Sequence, residues 1–242
     1  MFSVNDILFM LVAMLAIFIQ SLVGFGGNPI AMPPGILLVG VGIAKPVLTV
    51  LACIIGILVT AKEYKHINWK ELGKMSAVML AGVILGIFVF KSVKLDFLLI
   101  AYALVVIAIG VRKLFFPPKK EASEAVKYTA LGLAGLMQGL FVSGGSFLAV
   151  YSTAKLKDKQ EFRATSNAIW GIINVFMIVT YFIDGTMTKE VGVISAICIV
   201  PALVIAWLAG LLSRKINKQT FLKIAYVMII ASGASLLVSY LL

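Results

Sequence analysis

The sequence predicts an all-α integral membrane protein built from two inverted repeats, each a re-entrant broken-helix hairpin followed by three transmembrane helices. Three observations lead there. Hydrophobic residues make up 62% of the 242 and charged residues only 13%, with a mean hydropathy of +1.09, whereas soluble domains carry about 25% charged residues. The chain also resembles itself, and its basic residues fall unevenly between its apolar segments.

The self-similarity is densest at two glycine-rich breaks, Gln20-Ser-Leu-Val-Gly-Phe-Gly-Gly-Asn28 and Gln138-Gly-Leu-Phe-Val-Ser-Gly-Gly-Ser146, 118 positions apart. At that spacing Leu22, Gly26, Gly27, Ala31 and Lys45 match Leu140, Gly144, Gly145, Ala149 and Arg163. Beyond a small insertion the spacing becomes 124, and Phe97-Leu-Leu-Ile-Ala-Tyr102 matches Phe221-Leu-Lys-Ile-Ala-Tyr226. Such a period identifies an internal duplication. Residues 1–121 form one repeat, ending in a basic central loop, and residues 122–242 the other.

The apolar runs, in order, are Phe2 to Val23, Val47 to Ala61, Ser76 to Phe90, Leu95 to Val111, Thr129 to Val142, Ala168 to Ile183, Val191 to Leu212 and Ile224 to Leu242. Leu, Ala and Ile dominate and no period-2 alternation occurs, which favours helices over a barrel. The first run ends at the first glycine break. Gly26 and Gly27 permit a tight turn, Asn28 is a good helix N-cap and Pro29 suits the first helical position. Gly144, Gly145 and Ser146 give the second repeat the same signal without the proline. The segment from Ser146 to Leu156 would rise only about 16 Å as a helix, half a bilayer, so a re-entrant arm is expected.

Charge sets the orientation. With four crossings per repeat in parallel, ten basic residues lie inside and eleven outside, which is no bias. With a hairpin and three crossings per repeat, the repeats invert and both termini lie outside. Lys45, Lys91, Lys94 and Lys189 are then outside and the other seventeen of the 21 basic residues inside. The inverted arrangement in the cytoplasmic membrane therefore explains the net charge of +11. Nucleic-acid binding is set aside, because these residues flank the spans with no aromatic interleaving. No removable signal peptide is expected, since Met-Phe-Ser-Val-Asn-Asp carries no positive charge. Cys53 and Cys198 lie inside apolar runs, against a disulfide framework or a cysteine metal site, and no cofactor is expected.

In this topology the first hairpin, Phe2 to Gly42, enters from outside and the second, Lys127 to Leu156, from the cytoplasm. Their tips meet near the midplane, the position of the substrate in many secondary transporters with inverted repeats. Two half-helices would aim positive N-terminal ends at one point, a site for an anion without a buried cation. Candidate ligands are Gln20, Ser21, Gly24, Gly26, Gly27, Asn28, Gln138, Ser143, Gly144, Gly145 and Ser146. For Gln20 and Gln138 substrate contact and interhelical hydrogen bonding are both open, because a buried amide must find a partner. Ser21 and Ser143 either bind ligand oxygens or bond back to their own helix. Isolated glycines such as Gly82 and Gly132 read as helix-packing positions.

Lys45 and Arg163 begin the span after each hairpin and read as anion-attracting gates or as snorkelling cations. Ser166, Asn167, Trp170 and Asn174 share one helical face, the most polar of any span, and are candidate pathway residues together with Thr49, the first-repeat counterpart of Asn167. His66 reads as a surface residue, and the matched Tyr102 and Tyr226 as belt or packing aromatics. Asp6, Asp96, Asp184 and Glu190 all fall at span ends, so no acidic carrier for a coupling ion is visible. The membrane potential, about 2.3 kcal/mol per charge per 100 mV, would drive an anion outward.

Gly24-Phe-Gly-Gly-Asn-Pro-Ile-Ala-Met-Pro33 and Ser143-Gly-Gly-Ser146, one in each half of a small apolar chain with a basic central loop, resemble the duplicated glycine motifs of the sulfite exporter TauE/SafE family. The resemblance covers nearly the whole chain and implies transport of sulfite, sulfonates or related small anions. The family pattern commonly has three glycines followed by proline. Asn28 stands in place of the third glycine here, and Ser146 at the equivalent second site. The expected partners are a small anion, the lipid bilayer and, as an open question, a second copy of the chain in a homodimer. An anion channel of the same fold is the alternative. An intramembrane enzyme is disfavoured, because no serine with a base, carboxylate pair or metal-ligand set lies within the spans.

Overall fold

A computed structural model describes residues 2–23, 27–116, 123–156 and 158–212, with 227, 230, 234, 237 and 238. These residues form helices and no strand: α1 (Val4–Val23), α2 (Gly27–Val39), α3 (Val41–Glu63), a 3₁₀ turn (Tyr64–His66), α4 (Trp69–Ser92), α5 (Leu95–Phe115), α6 (Glu124–Phe141), α7 (Gly145–Lys155), α8 (Lys159–Ile183) and α9 (Lys189–Leu212). The span expected over Ile224 to Leu242 lies almost entirely outside the described residues.

Local chemistry explains where these helices start. Ser3 and Asp6 form a reciprocal capping box, with Ser3 N–H donating to Asp6 Oδ2 at 2.7 Å and Asp6 N–H to Ser3 Oγ at 3.1 Å. Asn68 Oδ1 accepts from Glu71 N–H, Ser123 Oγ from Val126 N–H, and Asp158 Oδ2 from the N–H groups of Gln160 and Glu161. These caps lengthen the expected runs: α4 starts at Trp69 rather than Ser76, and α8 at Lys159 rather than Ala168.

Among the described residues, five stretches are long and apolar enough to cross a bilayer: Val4–Leu22, Val41–His66, Trp69–Ser92, Gln160–Ile183 and Lys189–Leu212. By contrast α2 has 13 residues and α7 has 11, about 20 and 17 Å of helix. Large apolar side chains such as Leu11, Phe88, Phe182, Val200 and Trp207 face outward. A soluble monomer rarely leaves such a surface open, whereas lipid covers it in a membrane. The protein is a multi-pass helical membrane protein.

Helix contacts come in exchanged pairs. α3 and α8, the first full helices after each glycine break, pack on each other. They run antiparallel: Thr49 meets Tyr181, Cys53 meets Gly171 and Glu63 meets Arg163. Gly56 allows their closest approach, since a Cβ there would lie 2.9 Å from Gly171 N and 3.0 Å from the Asn167 carbonyl oxygen. On one side α4 packs on α6 and on the other α9 packs on α1, while α3 also touches α9 and α8 touches α4. The α4–α6 seam runs parallel through Gly82, Gly86, Gly135 and Gly139, where a Cβ on Gly82 would approach the Gly132 carbonyl oxygen to 2.5 Å. Small residues four apart let helix backbones meet in this way, so Gly82 has the packing role expected of it.

Candidate functional site

Two short helices turn back against longer ones at the glycine breaks. α2 packs on α1 and α7 on α6. In each pair a glycine makes the close approach: a Cβ on Gly27 would collide with the Ala16 carbonyl, and one on Gly144 with the Ala134 carbonyl. Ala16 and Ala134 are 118 positions apart, so the two hairpins close on equivalent backbone.

The second hairpin shows how its turn is held. Val142 N–H donates to the Gln138 carbonyl and Ser143 N–H to that of Met137. Val142 adopts a left-handed conformation, φ 55°, ψ 29°, which strains a β-branched residue; its first-repeat counterpart is Gly24. The Gln138 side chain then ties the turn to α8. Its Oε1 accepts from Gly144 N–H at 3.3 Å, and its Nε2 donates to Asn174 Oδ1 at 2.8 Å. α7 begins after Gly144 with no side-chain cap.

Between the tips lies a small cavity lined by Gln20, Asn28, Pro29, Ala52, Gln138, Val142, Gly145, Trp170 and Asn174. Both hairpins and both central helices contribute. About 10 Å³ is open to the centre of a water molecule, the room one water needs, so a polyatomic anion would enter only as the tips separate. No lining residue carries a formal charge. Gln20 Nε2, Asn174 Nδ2 and Asn28 Oδ1 are buried without a partner among the described residues. Because Asn174 Oδ1 is engaged by Gln138, the Asn174 amide is fixed with its N–H₂ uncommitted. Neutral donors beside a helix N-terminus in a water-poor space suit a small oxoanion.

A family profile described as Sulfite exporter TauE/SafE matches residues 9–236. The chain belongs to the sulfite exporter TauE/SafE family. Comparisons with curated proteins and with solved structures return no match. Membership makes it one of a family of membrane transporters for sulfite and related anions, not a family of enzymes.

Within this TauE/SafE fold the candidate residues separate into groups. Gln20, Asn28, Gln138, Gly145, Trp170 and Asn174 converge on the cavity. Gly27 and Gly144 serve the close approach of the hairpin arms. Gly24 and Gly26 lie outside the described residues. Ser143 turns away: its Oγ donates to the Phe141 carbonyl at 2.9 Å and, its own proton committed, accepts from Tyr102 O–H at 2.6 Å. Ser21 and Ser146 are buried beside the cavity without lining it. Neither Asn28 nor Ser146 acts as a cap, since α2 already starts at Gly27 and α7 at Gly145. A residue inside the first turn cannot fold its side chain back onto its own N–H groups as an N-cap does.

The pathway candidates also divide. On the buried face of α8, Trp170 and Asn174 reach the cavity, whereas Ser166 and Asn167 do not. Asn167 Nδ2 donates to the Arg163 carbonyl at 2.8 Å, and its counterpart Thr49 donates to the Lys45 carbonyl at 2.8 Å. Both are back-bonded to their own helix. Arg163 Nη1 pairs with Glu63 at 3.3 Å. Lys45 does not snorkel: it is 5% exposed, and its Nζ donates to the Gly139 carbonyl at 2.7 Å and lies 3.8 Å from the Phe90 ring centre.

Of the two readings open to Tyr102, belt or packing, the structure shows packing. It is fully buried, stacks on Phe141 at 4.4 Å and holds Ser143 from α5 of the other half. A membrane belt would have left it at the surface. The signal available was its match with Tyr226 in an otherwise apolar segment.

Proposed function

We propose that the protein exports a small oxoanion, sulfite or an organosulfonate, by alternating access, binding it at the midplane between the two hairpin tips. The cavity carries this reading. It draws on both hairpins, holds no fixed negative charge, and offers the Gln20 and Asn174 amides beside the start of α7. Such donors replace the hydration of an anion without adding a proton to it.

The inverted-repeat reading is supported by the antiparallel run of α3 and α8 and by the exchanged packing of α4 on α6 and α9 on α1. Two equivalent units of opposite orientation contact each other in this way. Re-entry of the hairpins is supported by the lengths of α2 and α7, about half a bilayer each. Trp170 on one side of the cavity faces the lining contributed by its counterpart Ala52, so the halves that would exchange places are chemically unequal. With the termini outside and the basic loops inside, net export follows the inside-negative potential.

The test is flux from liposomes holding the purified protein. Efflux of sulfite and of methanesulfonate should saturate with concentration and accelerate when unlabelled anion is supplied outside. Non-saturating current without such acceleration would replace the carrier with a channel, and absence of any anion flux would overturn the reading.

A further inference from the structure

We infer that Lys45 is the counter-charge that travels with the transported anion, so that the loaded carrier is electrically neutral and the empty carrier is positive. The inference rests on the transport reading above and adds the electrical character of its two half-cycles.

Four observations carry it. Lys45 is nearly fully buried although it belongs to α3, an apolar crossing helix. Its ammonium meets a carbonyl and an aromatic face but no carboxylate among the described residues. Among the described residues, Arg163 by contrast pairs with Glu63, and Lys127 and Lys155 pair with Glu124. Asp184 and Lys91 act on Lys45 through space, yet pair with each other at 3.0 Å. A buried cation without a counter-ion is strongly disfavoured inside a membrane, and such groups mark ion pathways.

The position of the contact supplies the link to transport. Gly139 lies in the last turn of α6, whose final carbonyls have no helical partner, and Lys45 caps that negative end from the other repeat. Gly139 lies three residues before Val142 of the hairpin turn and follows Gln138, which lines the cavity. The ammonium therefore lies beside the last turn of α6, which leads into the second tip. Its ring of contacts continues around the same tip: Phe90 packs edge-on against Phe141 at 6.0 Å, and Phe141 stacks on Tyr102, which holds Ser143. A monovalent anion bound at the tip and the Lys45 ammonium together carry no net charge. Reorientation of the loaded form then moves no charge through the field, and the inside-negative potential acts on the return of the empty, positive form.

The experiment uses the full chain in liposomes with labelled methanesulfonate, an anion that stays ionised, and a potassium diffusion potential. One-for-one exchange, with saturating anion on both sides, reports only the loaded half-cycle, while net efflux includes the empty return. Wild type and Lys45→Arg should exchange at the same rate at 0 and 100 mV, with net efflux that depends on voltage. Lys45→Met should make exchange itself vary severalfold over that range, about fiftyfold being the ceiling for one charge crossing the whole field. Exchange by wild type that varies with voltage as steeply as a full charge requires overturns the inference without recourse to any variant, as does voltage-independent exchange by Lys45→Met. Absence of both efflux and exchange in wild type would instead refute the transport reading itself.

Discussion

Replacing Gln138 by leucine tests whether the second tip is held as described. The side chain makes two bonds, to Asn174 Oδ1 at 2.8 Å and from Gly144 N–H at 3.3 Å. Gln138→Leu leaves Asn174 with no partner on either amide atom and Gly144 N–H unbonded. A buried orphan group costs about 1–3 kcal/mol in soluble proteins, while side-chain bonds between membrane helices average about 0.6 and reach about 1.7 kcal/mol. A loss of about 2 kcal/mol is expected, since the 3.3 Å bond is weak and leucine fills the space. In Gln138→Leu/Asn174→Leu the stranded amide is gone, and about 1 kcal/mol should return, because removing both partners is gentler than removing one. Transport should be lost in both variants, since the Asn174 donor is misaligned in one and absent in the other. Reversible unfolding in mixed micelles gives the stabilities, and methanesulfonate efflux from liposomes gives the function. Additive single-mutant effects, or recovery of flux in the double variant, would refute the reasoning.

Three further outcomes follow from the same structure. Asn28→Leu and Gly145→Leu should each abolish efflux while the protein still inserts and runs as a single species on size exclusion; wild-type flux by both would remove the tips from the site. Cysteines placed between Lys62 and Lys74 and between Lys155 and Arg163 should react only with a membrane-permeant thiol reagent in intact cells, and labelling of the second loop by an impermeant reagent would contradict the inverted topology. Asp184, just beyond α8, has its carboxyl held below the ordinary carboxylate range: partial burial alone would raise it, but hydrogen bonds from Thr186 and the nearby Lys91 ammonium outweigh that. Its stabilising contribution is therefore fully present above about pH 4 and is lost as pH falls through the depressed value. Asp184→Asn should lower stability at pH 7 and flatten that acid limb, and an unchanged limb would assign it to other groups.

Much of this architecture could be read from the chain because bilayer helices and glycine breaks write themselves into local sequence. The breaks at Gly27 and Gly144 and the polar face of α8 are local patterns, and Gln138 was marked as an amide that needed a partner. It found one in Asn174, whereas the Gln20 Nε2 has none among the described residues: its pseudo-equivalent partner position is Gly56, which instead lets α3 and α8 touch. What was illegible depends on contacts between distant segments. Lys45 meets Gly139 across 94 positions and Tyr102 meets Ser143 across 41, and no periodicity says which faces of two apolar helices will meet. Helix starts also resisted reading. Asn28 looks like a cap by residue type, with Pro29 as the first helical residue, but α2 begins two residues earlier, at Gly27, where the arm closes on the Ala16 carbonyl.

The central claim is that the anion binds between the two tips. Selenite, the heavier analogue of sulfite, can be located by its anomalous scattering in crystals of the wild-type protein. The account predicts the strongest selenium peak within hydrogen-bonding distance of the Gln20 and Asn174 amides and the start of α7 at Gly145; a strongest peak elsewhere in the protein, with none between the hairpins, would contradict it.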